Sequence, residues 1–293
     1  MKELKGTGVA LATPMHSDGR IDFTGLDNLV NYVIDGGVNY LVVLGTTGES
    51  ATLNADEKNA VLEAVKESNN GRLPIVLGVG GNNTTEVENQ LKSLDTSGLT
   101  AILSVSPYYN KPTQEGIYRH YKRLAECSPL PIILYNVPGR TGSNISSATT
   151  LKLANEFDNI VAVKEASGDM EQIMEIIRDK PSHFEVISGD DALTLPILAV
   201  GGYGVISVVG QAFPKTFSDM VSYGLSRKMK KANEKHYQLL HATQLLFAEG
   251  NPGGLKSALK IRGICKEHVR LPLYKVSKSL ENKIAAEIAR IGE

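Results

Sequence analysis

The run Ile160-Val161-Ala162-Val163-Lys164-Glu165-Ala166-Ser167 has the apolar, β-branched character of a buried parallel strand, yet it ends in a lysine. Strand side chains alternate, so Lys164 shares a face with Ala162 and points away from Glu165. An amine held in an apolar interior without a carboxylate partner is driven toward its neutral form, and a neutral amine attacks ketones. Lys164 is therefore a candidate for Schiff-base formation with a carbonyl substrate. The competing possibility is a strand-end lysine whose ammonium reaches water. The preceding apolar run, Pro131 to Tyr135, ends in a phenol. Neighbouring strands lie about 4.8 Å apart, so a phenol and an amine at matching heights meet, and the tyrosine can pass protons to and from a carbinolamine.

Other polar groups stand where apolar runs stop. In Gly45-Thr46-Thr47-Gly48-Glu49-Ser50 the glycines let backbone amides and two hydroxyls approach a small anion. Arg140 follows Pro138-Gly139, and its forked guanidinium suits a carboxylate. Ser188-Gly189-Asp190-Asp191 and Gly204-Val205-Ile206-Ser207 close two further runs with small residues that leave volume beside the lysine. Gly78-Val79-Gly80-Gly81 starts like a dinucleotide loop but has Asn83 where a third glycine belongs, and Gly202-Tyr203-Gly204 fails in the same way at Ser207. The chain contains no Walker sequence, GxSxG or HExxH. Without a metal or cofactor fingerprint, carbon–carbon bond chemistry needs an electron sink from the protein itself, which a lysine imine supplies. No cofactor and no dedicated metal site are expected.

These groups must be carried by a regular scaffold. Eight short apolar runs alternate with helical patterns: Thr7 to Ala12, Tyr40 to Leu44, Pro74 to Val79, Ala101 to Val105, Pro131 to Tyr135, Ile160 to Lys164, Phe184 to Ser188 and Tyr203 to Val208. Asn54 with Glu57, Asn83 with Glu86, and Asp169 with Gln172 resemble capping boxes at helix starts. Such alternation implies parallel strands with right-handed crossovers, and eight units close into a (β/α)8 TIM barrel with its chemistry at the strand ends. After Val208 the pattern is helical, with Met229, Ala232, Leu239, Leu240, Thr243, Leu246 and Phe247, then Leu280, Ile284, Ile288 and Ile291, at three-to-four spacing. The expected organisation is a barrel over 1–225 and a C-terminal helical extension over 226–293.

Composition narrows the partners. Among 293 residues, 31 Lys and Arg oppose 32 Asp and Glu, for a net charge of -1. That balance gives no footing for a nucleic acid or an anionic membrane surface, and leaves small molecules and copies of the chain itself. Met1 to Gly8 lacks the apolar core of a signal peptide, and no apolar run approaches the ~18 residues of a membrane span, so a cytoplasmic location is expected. Two cysteines, Cys127 and Cys265, form no framework and read as reduced thiols.

Four motifs in order, Gly45 to Ser50, Pro107-Tyr108-Tyr109-Asn110-Lys111-Pro112, Tyr135-Asn136-Val137-Pro138-Gly139-Arg140-Thr141-Gly142 and Val163-Lys164-Glu165-Ala166, resemble the 4-hydroxy-tetrahydrodipicolinate (dihydrodipicolinate) synthase family. The likeness runs from about Gly6 to the C-terminus. It implies a pyruvate-dependent class I aldolase-type lyase that condenses pyruvate with L-aspartate 4-semialdehyde on the diaminopimelate route to lysine. The resemblance makes Lys164 the amine that captures pyruvate and Tyr135 the proton shuttle. Thr46 would link Tyr135 to Tyr109, the latter supplied by a neighbouring subunit of a homotetramer arranged as a dimer of dimers. Thr47 would hold the pyruvate carboxylate, with Gly189 and the Ile206 carbonyl lining the same pocket, and Arg140 would bind the semialdehyde carboxylate. Ser50, Ala51, Asn82, Glu86 and Tyr108 match a crevice where some relatives bind lysine as an inhibitor. That match breaks at Ala55 and Lys58, where sensitive relatives often carry histidine.

Two alternatives stay open at this level. N-acetylneuraminate lyase and the 2-keto-3-deoxy sugar-acid aldolases use the same barrel, lysine and tyrosine with another acceptor, and Arg140 with Thr46-Thr47 argues against them. A non-catalytic barrel that binds a keto acid is compatible with the fold alone.

Overall fold

A computed structural model describes all 293 residues. Eight parallel strands close in sequence order, with β8 pairing β1. They are β1 Gly6–Ala10, β2 Tyr40–Val43, β3 Ile75–Gly78, β4 Ala101–Val105, β5 Ile132–Asn136, β6 Ile160–Glu165, β7 Glu185–Ser188 and β8 Gly204–Ser207. Each lies within two residues of an apolar run read from the sequence, which is the usual scatter of strand ends. Around them run α1 Phe23–Asp35, α2 Ala55–Asn69, α3 Thr84–Lys92, α4 Gln114–Cys127, the short α5 Pro138–Thr141, α6 Ser147–Glu156, α7 Met170–Asp179 and α8 Thr194–Ala199. The crossover ring is completed by α9 Pro214–Leu225, after which α10 Met229–Phe247, α11 Gly253–Ile261 and α12 Lys278–Ile291 follow. No helix is long and apolar enough to cross a membrane.

The apolar residues separate into two cores, as alternation on closed strands requires. One lies between strands and helices, with Val9, Leu41, Val43, Leu134, Val163 and Phe184 among its members. The other fills the barrel with Ala10, Tyr40, Val42, Ile133, Tyr135, Ala162, Ile187 and Ile206. Tyr40 plugs the lower end and donates its hydroxyl to the Val205 carbonyl. Gly8 makes room for it, because a Cβ there would sit 2.2 Å from the Tyr40 ring.

One of the three expected capping boxes is complete. Asn54 accepts from the Glu57 amide while Glu57 reaches back to the Asn54 amide. Asn83 instead caps the Thr85 amide, without a return bond from Glu86. Asp169 caps the Gln172 amide, but the Gln172 side chain is diverted to Asn144 and Glu165. The C-terminal region also departs from a continuous helical pattern, since residues 262–277 are irregular. Their backbone is engaged by buried side chains: Lys256 donates to the His268 carbonyl and the Arg270 amide donates to Glu49.

Candidate active site

The ladder between β5 and β6 decides whether the phenol and the amine meet. Ile132 pairs with Ile160, but Ile133 pairs with Ala162, so Val161 is an extra residue in β6. Continued without that bulge, the ladder would set Tyr135 beside Val163, whose side chain faces the helices. With it, Tyr135 pairs with Lys164 and both face the barrel mouth. Lys164 Nζ lies 4.1 Å from the centroid of the Tyr135 ring, and both residues are buried.

Their sequence neighbours Asn136 and Glu165 face the other way and lock the two strand ends. Asn136 Nδ2 donates to both Glu165 oxygens at 3.1 and 3.0 Å, and Gln172 and the Ser167 amide complete the carboxylate. Burial pushes the Glu165 carboxyl upward, while Asn136, Ser167 and Gln172 oppose the shift by donating to the ionised form. Asn136 also accepts from the Ile145 amide and donates to Asn144, so the same cluster holds the loop that follows Arg140.

Lys164 opens into a cavity of about 560 Å³ at the C-terminal ends of the strands. Thr46, Thr47, Tyr135, Arg140, Lys164, Gly189 and Ile206 all contribute to its wall. Gly189 contributes by lacking a side chain, because a Cβ would stand 3.1 Å from Lys164 Cε and 2.8 Å from the Ala166 methyl. Its amide is occupied by the Glu165 carbonyl. Asp191 lies in the wall and accepts from the Ser207 hydroxyl and the Val208 and Val209 amides. Burial pushes its carboxyl up to about 6 against those donors. No group of three or more His, Cys, Asp or Glu side chains is gathered to hold a metal ion.

The threonine loop is the most constrained part of the wall. Leu44 at φ 60° and Glu49 at φ 55° bracket it in the left-handed region, which non-glycine residues enter only where surroundings enforce it. Thr13 donates to the Gly48 carbonyl at 2.7 Å, and Asn251 Nδ2 donates to Thr47 Oγ1 at 2.9 Å. Glu49 forms an ion pair with Lys256, and both side chains are 0% exposed. Burial pulls the Lys256 ammonium below the usual lysine range, with Glu49 acting in the opposite direction. Removing one member of such a pair costs about 3–5 kcal/mol, because the survivor is left charged and unpartnered. Local sequence placed Glu49 in the loop but gave it no role, and it did not bring Asn251 or Lys256 to the site. A lysine on an apolar helix face was the one available signal, and its partner is 207 residues away.

Tyr109 is set apart from these groups. It is 87% exposed, has φ 74°, and does not line the cavity of its own chain. The positions matching the inhibitor crevice are only partly gathered. Ser50 joins Lys58, Gly80 and Gln90 around a separate cavity of about 130 Å³ that also touches Thr46 and Tyr135. Asn82 donates to the Tyr108 carbonyl, but Ala51, Asn82, Glu86 and Tyr108 are exposed and line neither cavity.

Beyond the loop, Arg270 makes a forked contact with Glu57 and also donates to the Gly19 and Thr52 carbonyls. Arg270 holds the Glu57 carboxyl down, from 4.5 to about 2. A carboxyl with a depressed native pKa stabilises the fold above its unfolded pKa and loses that contribution as pH falls through the native one. The stability difference between wild type and Arg270→Met, read by urea unfolding, is therefore expected to be full at neutral pH. It should shrink as pH is lowered from 4.5 toward about 2. A difference that grows over that interval would contradict the assigned pairing.

A closed eightfold barrel, with an amine packed on a phenol beneath a mouth lined by hydroxyls and a guanidinium, has the equipment of a lysine-dependent aldolase for small carboxylate-bearing carbonyl compounds. The chain belongs to the dihydrodipicolinate synthetase family, which it matches over residues 3–291. The 4-hydroxy-tetrahydrodipicolinate synthase of Flavobacterium psychrophilum is 55% identical over 284 residues, covering 97% of each chain. Among solved structures, dihydrodipicolinate synthase from Thermotoga maritima superposes with a TM-score of 0.96 at 38% identity, covering 99% of each chain. A chloride-inhibited dihydrodipicolinate synthase from Acinetobacter baumannii, complexed with pyruvate, superposes with a TM-score of 0.95 at 37% identity, again covering 99% of each chain.

Proposed function

We propose that this chain acts as a 4-hydroxy-tetrahydrodipicolinate synthase, a lyase of the diaminopimelate route to lysine that joins pyruvate to L-aspartate 4-semialdehyde. The observation that carries the proposal is the Tyr135–Lys164 register at the mouth of the barrel, together with family membership. Lys164 Nζ attacks C2 of pyruvate to give a carbinolamine, and Tyr135 supplies the proton with which the hydroxyl leaves as water. Loss of a C3 proton converts the iminium to an enamine, which is a carbon nucleophile. Enamine C3 then bonds to the aldehyde carbon of the semialdehyde, whose oxygen takes a proton. The semialdehyde amine next displaces Lys164 from C2, closing the ring and freeing the enzyme.

Each substrate carries a carboxylate, and the cavity offers two recognition points. Thr46 and Thr47 line the cavity together with Arg140, whose planar fork suits a carboxylate and orients the aldehyde for attack. Tyr109, exposed in one chain, is assigned to the site of a neighbouring subunit in a homotetramer, reaching Thr46 there. The location proposed is the cytoplasm, with no nucleic-acid or membrane partner. Ser50, Ala51, Asn82, Glu86 and Tyr108 are proposed as the remnant of an inhibitor crevice in which Lys58 repels the ammonium of lysine.

The test is pyruvate consumption against aspartate semialdehyde, N-acetylmannosamine, glyceraldehyde and glyoxylate, in wild type and Arg140→Ala. Turnover selective for the semialdehyde is expected, with Arg140→Ala lowering kcat/KM for it about 10- to 100-fold, a charge-assisted contact of roughly 1.5–3 kcal/mol. Preference for a sugar aldehyde would leave Lys164 and Tyr135 in their roles and overturn the choice of acceptor.

A further inference from the structure

We infer that Lys256 and Asn251 of the C-terminal extension are positioning residues for the threonine loop, and that through them the extension sets how the pocket grips the carboxylate of a 2-oxo acid. The inference rests on the proposed function and deepens its account of the pyruvate side of the site.

Three consecutive loop residues are each held from outside the loop. Asn251 binds the Thr47 hydroxyl, Thr13 binds the Gly48 carbonyl, and Lys256 binds the Glu49 carboxylate. The second Glu49 oxygen accepts from the Arg270 amide at 2.9 Å, and Lys256 also donates to the His268 carbonyl at 2.7 Å. Two of the three anchors thus come from more than 200 residues away in sequence. They act where Glu49 is held at φ 55°, a left-handed conformation disfavoured for a residue bearing a Cβ.

The chemistry of each anchor points toward ligand recognition. A threonine hydroxyl has one proton, and because Asn251 donates into its lone pair, that proton remains available to a ligand acceptor in the cavity that Thr47 lines. A carboxylate is the acceptor such a donor fits. A buried ion pair is a poor source of net stability compared with an apolar pair of the same volume. What it does supply is direction: the Glu49 carboxylate is fixed at both oxygens, so the backbone turn carrying Thr46 and Thr47 has one placement relative to Lys164.

The experiment is trapping of the pyruvate imine by borohydride in the full-length protein, with pyruvate titrated and the adduct quantified by intact mass. Lys256→Met is expected to raise the half-saturating pyruvate concentration about tenfold or more, while trapping at saturating pyruvate stays within roughly threefold, since Lys164 and Tyr135 are untouched. The doubly neutral variant Glu49→Gln with Lys256→Gln keeps a hydrogen-bonded pair without an orphaned charge and should return the half-saturation toward wild type. Asn251→Ala removes no buried charge and should produce the same selective rise, which keeps the test decisive if Lys256→Met does not fold. Half-saturation unchanged in Asn251→Ala, or a Lys256→Met that folds and binds pyruvate as wild type does, would overturn the inference while leaving the proposed function intact. Absence of any adduct in the wild-type protein would overturn the proposed function, and this inference with it.

Discussion

Replacing Lys164 by alanine is expected to abolish turnover, with kcat/KM falling on the order of 10⁴- to 10⁶-fold, as for removal of a covalent nucleophile. No second amine is placed to substitute. Lys58 faces the smaller cavity behind Thr46, and Lys256 is tied to Glu49. The fold should tolerate the change. Glu165, the nearest acidic neighbour in sequence, is satisfied by Asn136, Gln172 and Ser167 on the opposite face, so removing the amine leaves no buried carboxylate without a partner. A variant that unfolded, or one that kept measurable aldol activity, would contradict the role given to the lysine.

Tyr135→Phe should lower kcat roughly 10²- to 10⁴-fold, the range for loss of a general acid–base group. The benzene ring would remain beneath the Lys164 amine, where its contact is with the ring face at 4.1 Å, so packing should change little. The two variants separate by trapping. Lys164→Ala should form no pyruvate adduct, whereas Tyr135→Phe should form one slowly and to completion, because it retains the nucleophile and lacks only the proton carrier. An adduct formed at the wild-type rate would remove the phenol from the carbinolamine step.

The barrel was legible because each strand is a short apolar run and each crossover a helix with polar punctuation. The buried place of Lys164 beside Tyr135 was legible because both close apolar runs on neighbouring strands. The extra residue at Val161 was not, since a bulge exists only relative to a partner strand and β6 reads as regular when taken alone. The Glu49–Lys256 pair was hidden for a related reason: nothing local to either residue points to the other, and only closure of the chain brings them together. Tertiary competition explains the incomplete capping pair at Asp169. Gln172 makes stronger use of its amide against the buried Glu165 than against the Asp169 backbone. In the irregular stretch 262–277, the His268 carbonyl and the Arg270 amide are likewise spent on Lys256 and Glu49. Tyr109 marks the opposite case: it is 87% exposed in its own chain, and the place proposed for it lies in a neighbouring subunit.

On the proposed function, Lys164 forms an imine with pyruvate in the barrel mouth. The most direct test is to incubate the protein with pyruvate, reduce with borohydride, and map the modified peptide by mass spectrometry. The expected product is a single adduct on Lys164, heavier by the mass of pyruvic acid less one oxygen atom, and absent when pyruvate or borohydride is omitted. An unmodified Lys164, or an adduct carried by Lys58 or Lys256 instead, would contradict it.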